Sequence, residues 1–221
     1  MTNLPTLQTL EPTDHESADL TFAAPASDLR IERTRRALAA RGFDVEVLDD
    51  AVAARERIAS LVPEQATVFT AASETLRISG IEDDINRSGR YTAVKPRIYS
   101  LDRARDGAEI RRLMATPDYV LGSVSAVTED GSMIAVSASG SQLPAYSGGA
   151  GRVIWIVGAQ KIVRDLGAAL ERNEKYALPL EDIRARAAYG RSSAINKVLV
   201  VNAEPVPGRT TVLLLREVIG F

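Results

Sequence analysis

The chain has 221 residues, 45% apolar and 25% charged, and its 27 Lys plus Arg stand against 29 Asp plus Glu for a formal net charge of -2. That length suits one α/β domain with a full core, and the near balance of charge argues against a nucleic-acid or anionic-membrane binder, which wants a basic face. With no cysteine and a single histidine, His15 in a polar leader, the chain offers no disulfide, thiolate nucleophile, zinc-cysteine site or cysteine-ligated iron–sulfur cluster, and no metal site is expected.

The residues up to about 27 are rich in Thr, Pro, Asp, Glu and Ser, which predicts a flexible N-terminal extension over 1–27 and a folded domain over 28–221. The N-terminus lacks a basic region followed by an apolar one, and no apolar run reaches the roughly 20 residues that cross a bilayer, so a cytoplasmic location without membrane insertion is the expectation. The folded part opens with Ile31, Thr34 and Leu38 on one helical face and Gly42 at its end. Phe43, Val45 and Val47 then alternate with acids as a short strand. A second helix presents Ala51, Ala54, Ile58 and Leu61 and closes at Pro63. Residues 67–70 are β-branched and aromatic, as in a buried strand.

The small residues 71–73 follow that strand at once, and a helix beginning near Ser73 would aim free N–H groups at a ligand. Ser73 and Thr75 are therefore candidate anion contacts, although Ser73 also suits a simple helix cap. Residues 95–101 read as a weak edge strand because of Pro96. Residues 108–115 read as a helix and 119–121 as a strand. The passage 125–136 reads as a β-hairpin turning at Asp130-Gly131, where the turn needs positive φ. Residues 140–151 form a glycine-rich loop with one helical turn at 141–146. Residues 153–157 have no polar alternation, which marks a central strand covered on both faces. Ile162, Leu166, Ala169 and Leu170 fit the face of the next helix, and 180–188 another. Residues 197–201 read as a core strand and 210–215 as the last one. Strand and helix alternate throughout, giving an α/β domain with a mostly parallel sheet sandwiched by helices.

No dinucleotide fingerprint, P-loop or GxSxG elbow is present. Lys161, just past the central strand and Gly158, is the strongest single candidate, because a lysine there reaches an anion at the carboxyl edge of the sheet. An exposed helix lysine is the plain alternative. Glu74 is a base or nucleophile if desolvated, and otherwise an acid complementing a helix N-terminus. Glu129 and Asp130 are candidate paired carboxylates, but a turn before Gly131 wants Asp for its own sake.

Three passages, SVSAVTEDGSMIAV from Ser123, VGAQKIVRDLGAALER from Val157 and PVPGRTTVLLLREVIGF from Pro205, together resemble the LUD domain family, the proteins of lactate utilization. The resemblance covers nearly the whole folded region. It implies a fold like the ribose-phosphate isomerases and CoA-transferases, and a role in organic-acid metabolism, in particular oxidation of L-lactate to pyruvate. It implies a small organic-acid or other anionic ligand, with Ser123, Ser125, Thr128, Gly131 and Lys161 joining Ser73 and Thr75 around it. Iron–sulfur and flavin cofactors are expected on partner proteins, with none in this chain. A non-catalytic subunit of such an oxidoreductase, an isomerase or CoA-transferase-like enzyme, and a homo-oligomer are also compatible with it. The chain departs from the family in having no cysteine cluster before residues 197–201, in carrying Ser125 where asparagine is expected, and in the passage 135–142.

Overall fold

The computed structural model describes residues 18–221. Of the expected extension, residues 1–17 lie outside the described residues. The part that follows packs on the domain: Leu20–Ala23 forms a 3-10 turn whose cap, Asp19, accepts from Thr21 N. Ala26 is buried and donates its N–H to Ala159 O at 3.2 Å. Phe22 and Ala26 find apolar neighbours in the main fold, which a purely compositional reading of this stretch overlooks.

The protein is α/β, with a six-stranded parallel sheet at its centre in the order β1-β10-β7-β4-β2-β3. These strands are β1 (Asp44–Leu48), β2 (Thr67–Thr70), β3 (Thr92–Ala93), β4 (Tyr119–Gly122), β7 (Arg152–Gly158) and β10 (Thr210–Leu215). β7 lies inside the sheet, as its unbroken apolar run predicts. Its side chains alternate strictly: Val153, Trp155 and Val157 enter one core, and Ile154 and Ile156 the other. Each such side chain contributes about 1.5–3 kcal/mol of burial before entropy is counted.

One face is covered by α2 (Ala51–Leu61), α3 (Glu74–Ile78) and α4 (Ile81–Arg87), through Ala54, Ile58, Leu76, Ile81 and Ile85. The other carries α1 (Asp28–Ala40), α5 (Val94–Ser100), α6 (Gly107–Ala115) and a second sheet, through Leu38, Val94, Ile98, Ile110, Val127 and Met133. That second sheet has the order β8-β5-β6-β9, with β5 (Ala126–Thr128), β6 (Met133–Ser137), β8 (Ile162–Val163) and β9 (Lys197–Val201). β5 and β6 are the antiparallel hairpin expected from Asp130-Gly131, and Gly131 has φ 93°. Among the described residues no helix is long and apolar enough to cross a membrane.

Three elements differ from expectation. Residues 95–101 are helical: Pro96 sits in the first turn of α5, where its missing N–H has no partner to lose, and Val94 and Ile98 are buried at i, i+4. β9 is the edge of the second sheet and not a core strand, and Val198 is half exposed there. The third is the face of α7 (Leu166–Arg172), which runs through a π-helical turn, Asn173–Ala177, into α8 (Leu178–Tyr189). Ile162, read as part of that face, lies in β8 instead; Leu166 and Leu170 are partly exposed, while Ala169, Arg172, Asn173 and Tyr176 are buried, so the stripe facing inward is largely polar.

Candidate functional site

β7 ends at Gly158, and a single turn, Ala159–Lys161, carries the chain across to β8 in the second sheet. Lys161 is thereby delivered into the seam between the two sheets and is only 2% exposed. Its Nζ donates to Thr75 Oγ1 at 3.0 Å, to Ser123 Oγ at 3.0 Å and to Val124 O at 3.2 Å. Thr75 belongs to α3 after β2, and Ser123 and Val124 follow β4, so three parallel strands send their carboxyl ends to one amine. Burial and, next, the neighbouring Arg172 cation push the Lys161 pKa well below its ordinary value of 10.5, while Glu74 opposes them. Glu74 itself is paired with Arg77 one turn along the helix.

Arg172 is the second buried cation. Its Nε donates to Gln160 O at 3.3 Å and its Nη1 to Ser125 O at 2.5 Å. The guanidinium lies 4.9 Å from the centre of the Tyr176 ring. Burial lowers its pKa to about 10. Arg172 and Lys161 thus hold successive carbonyls of one segment, Val124 and Ser125, and neither forms an ion pair with a carboxylate among the described residues. Two cations so placed cost desolvation that backbone carbonyls offset only in part.

The segment after β10 covers this seam. Gln160 Nε2 donates to Ile219 O at 2.9 Å and to Gly220 O at 2.8 Å, and Thr75 Oγ1 donates to Ile219 O at 3.4 Å. Gly220 has φ 64°, and a Cβ there would overlap Thr75 Oγ1 and lie 2.8 Å from Thr75 N. Only glycine passes so close to α3 in that conformation.

Residues 31–215 match the LUD domain family. The chain belongs to the LUD domain family. A solved structure of a DUF162 family protein from Deinococcus radiodurans is similar in fold to this LUD domain, with 14% identity and a TM-score of 0.52 over 86% of this chain and 99% of that one. No curated protein matches it.

Of the residues singled out from the sequence of this LUD domain, the structure brings Thr75, Ser123 and Lys161 together. Ser73 caps α3, its Oγ accepting from Leu76 N at 3.3 Å. The remaining candidates are engaged elsewhere. Thr128 Oγ1 bonds Asp130 and receives Ser132 N at 2.8 Å, bracing the turn at Gly131. Glu129 pairs with Arg30 at 2.8 Å and with Arg33 at 3.3 Å, and Asp130 pairs with Arg41 at 3.0 Å, so both carboxylates tie the hairpin to α1 and its C-cap. Ser125 Oγ donates to Ile134 O at 2.9 Å, within the hairpin. Among the described residues no three His, Asp or Glu side chains gather as metal ligands would. A groove lined by Arg55, Ile58, Asp84 and Tyr91 lies between α2 and α4 and does not reach Lys161.

Arg172 and Gln160 are the residues that sequence reasoning misses. The available signal was the spacing Ala169, Arg172, Asn173, Tyr176, which is as regular at i, i+3, i+4, i+7 as the apolar set Ile162, Leu166, Ala169, Leu170. Polarity alone argued against it. Carbonyls of Ser125, Gln160 and Ala169 receive the buried donors and make the polar face tolerable.

Proposed function

We propose that this LUD domain binds a small organic-acid anion at the Lys161 cluster and serves L-lactate utilization, the oxidation of lactate to pyruvate. A cytoplasmic setting goes with that reading. The carrying observation is a lysine 2% exposed whose polar contacts are all neutral oxygens, next to a second buried cation of the same kind. An anion restores the missing counter-charge, and in so dry an environment its attraction is little screened by salt. Redox cofactors for the oxidation belong to partner proteins in this reading, since iron–sulfur clusters take cysteine ligands and this chain has none. Access requires the segment over the seam, held by Gln160 and Thr75, to move aside.

Calorimetric titration with L-lactate, pyruvate, a CoA thioester and a sugar phosphate tests the reading. Saturable binding of an organic acid that Lys161→Ala weakens is expected. Silence toward all four, or binding that ignores Lys161→Ala, refutes it.

A further inference from the structure

The two buried cations differ in how much hydrogen-bonding capacity they have left. An ammonium carries three hydrogens, and Lys161 Nζ already has three acceptors in Thr75 Oγ1, Ser123 Oγ and Val124 O. Both hydroxyls can accept, because each has a carbonyl for its own hydrogen: Ile219 O for Thr75 at 3.4 Å and Val124 O for Ser123 at 3.2 Å. Lys161 is therefore saturated. Arg172 is not: Nε and Nη1 have carbonyl partners, but Nη2 has none among the described residues, although the residue is fully buried. The Tyr176 ring, its centre 4.9 Å from the guanidinium carbon, steadies the cation.

Resting on the anion-binding reading above, we infer that Arg172 Nη2 makes the direct contact to the anion and that the ligand is a monocarboxylate. A buried charged donor without an acceptor is the group with most to gain from a ligand oxygen. Nη2 keeps both of its hydrogens and Nη1 keeps one, which suffices for the two oxygens of one carboxylate. Inorganic phosphate brings four oxygens and more than one negative charge at neutral pH, for which the surrounding hydroxyls, already committed to carbonyls, have no hydrogens to give. Lys161 contributes charge at a distance, and the carbonyls of Gln160 and Ser125 hold the guanidinium in orientation.

The full chain is titrated with pyruvate, L-lactate and inorganic phosphate as wild type, Arg172→Lys and Lys161→Met. Wild type is expected to bind a carboxylate more tightly than phosphate. Arg172→Lys, which keeps the charge and loses the fork, should weaken that binding about tenfold or more, and Lys161→Met should weaken it less. Should Arg172→Lys not fold, the side-chain nitrogens of isotopically labelled arginine are followed by NMR in wild type. One slowly exchanging guanidinium signal should then move with carboxylate, and a spectrum that stays still overturns the inference. Unchanged affinity in Arg172→Lys, a larger loss in Lys161→Met, or tighter phosphate binding also overturns it while leaving an anion site at Lys161 in place. Silence of the wild type toward every probe removes both readings together.

Discussion

Gly122 ends β4 immediately before Ser123, and the ring of Tyr146 stands over it. A Cβ at this position would overlap the Tyr146 hydroxyl and lie 2.8 Å from Cζ. Tyr146 cannot simply retreat, because it is buried edge-on against Trp155, with ring centroids 5.4 Å apart. Gly122→Ala therefore overpacks the core, at about 1–3 kcal/mol. For a chain of this size each kcal/mol lowers the melting temperature by about 2–4 °C, so a fall of about 2–12 °C is expected. Trp155 is the only tryptophan, so its emission reports the displaced ring directly. Adding Tyr146→Phe removes the overlapping hydroxyl. It loses a 3.5 Å contact to Ser123 O, too long to count for much, and the hydroxyl's interaction with the Trp155 indole, which limits the recovery. The double variant should accordingly recover part of the lost stability. Gly107→Ala, whose Cβ would meet only Arg111 at 3.5 Å, is the control. If Gly122→Ala melts and fluoresces like wild type, the close packing of β4 against Tyr146, and the placement of Ser123 that depends on it, is refuted.

Two other outcomes follow from the same geometry. Asp165 Oδ1 accepts from Ala168 N at 2.9 Å and caps the helix that carries Arg172. Asp165→Ala should cost about 1 kcal/mol in urea unfolding, and no loss would mean that the cap is idle. The second concerns pH. Lys161 is held below its ordinary 10.5 by burial and by Arg172, against the pull of Glu74, whose own charge is paired with Arg77. The unfolded chain then binds a proton that the folded chain releases, so Lys161 makes stability rise with pH from the folded pKa up toward 10.5. Lys161→Met should flatten that rise. Identical slopes for wild type and variant would show that the amine is not desolvated.

The parts legible in the sequence were those with one strong period. β7 was readable as a buried strand because its apolar run leaves no polar face, and the β5-β6 hairpin because Asp130-Gly131 demands its turn. Thr75 was readable at the start of the helix after β2, and Lys161 as a lysine just past the central strand, although the turn that carries it leads into β8 and not into a helix. α5 was not, since Pro96 argues equally for a strand edge and a first helical turn. Glu129 and Asp130 were candidate paired carboxylates in the sequence, and their actual partners, Arg30 and Arg33 of α1 and Arg41 at its C-cap, lie about 90 or more residues away. Arg172 was hidden for the same reason: its partners, the carbonyls of Gln160 and Ser125, are made available by backbone geometry and carry no residue-type signal.

That reliance on carbonyls bears on where this chain departs from the family pattern. Ser125 stands where the resemblance leads one to expect asparagine, yet Arg172 is anchored by the carbonyl of residue 125, and the side chain turns away to Ile134 O. The substitution therefore leaves the guanidinium anchor intact. The passage 135–142 is likewise occupied with itself: Ser137 Oγ donates to Gln142 Oε1 at 3.0 Å and accepts from Gly140 N at 2.8 Å, and Gln142 Nε2 donates to Val136 O at 3.3 Å. None of these side chains reaches Lys161 or Arg172. The two buried cations depend on the hydroxyls of Thr75 and Ser123 and on three main-chain oxygens, those of Val124, Ser125 and Gln160, a set that the side-chain departures at 125 and 135–142 do not touch. In the anion-binding reading proposed above, a change of ligand relative to other members would have to arise from the groups that cover the seam, of which Gln160 and the Ile219-Gly220 backbone are the closest bound.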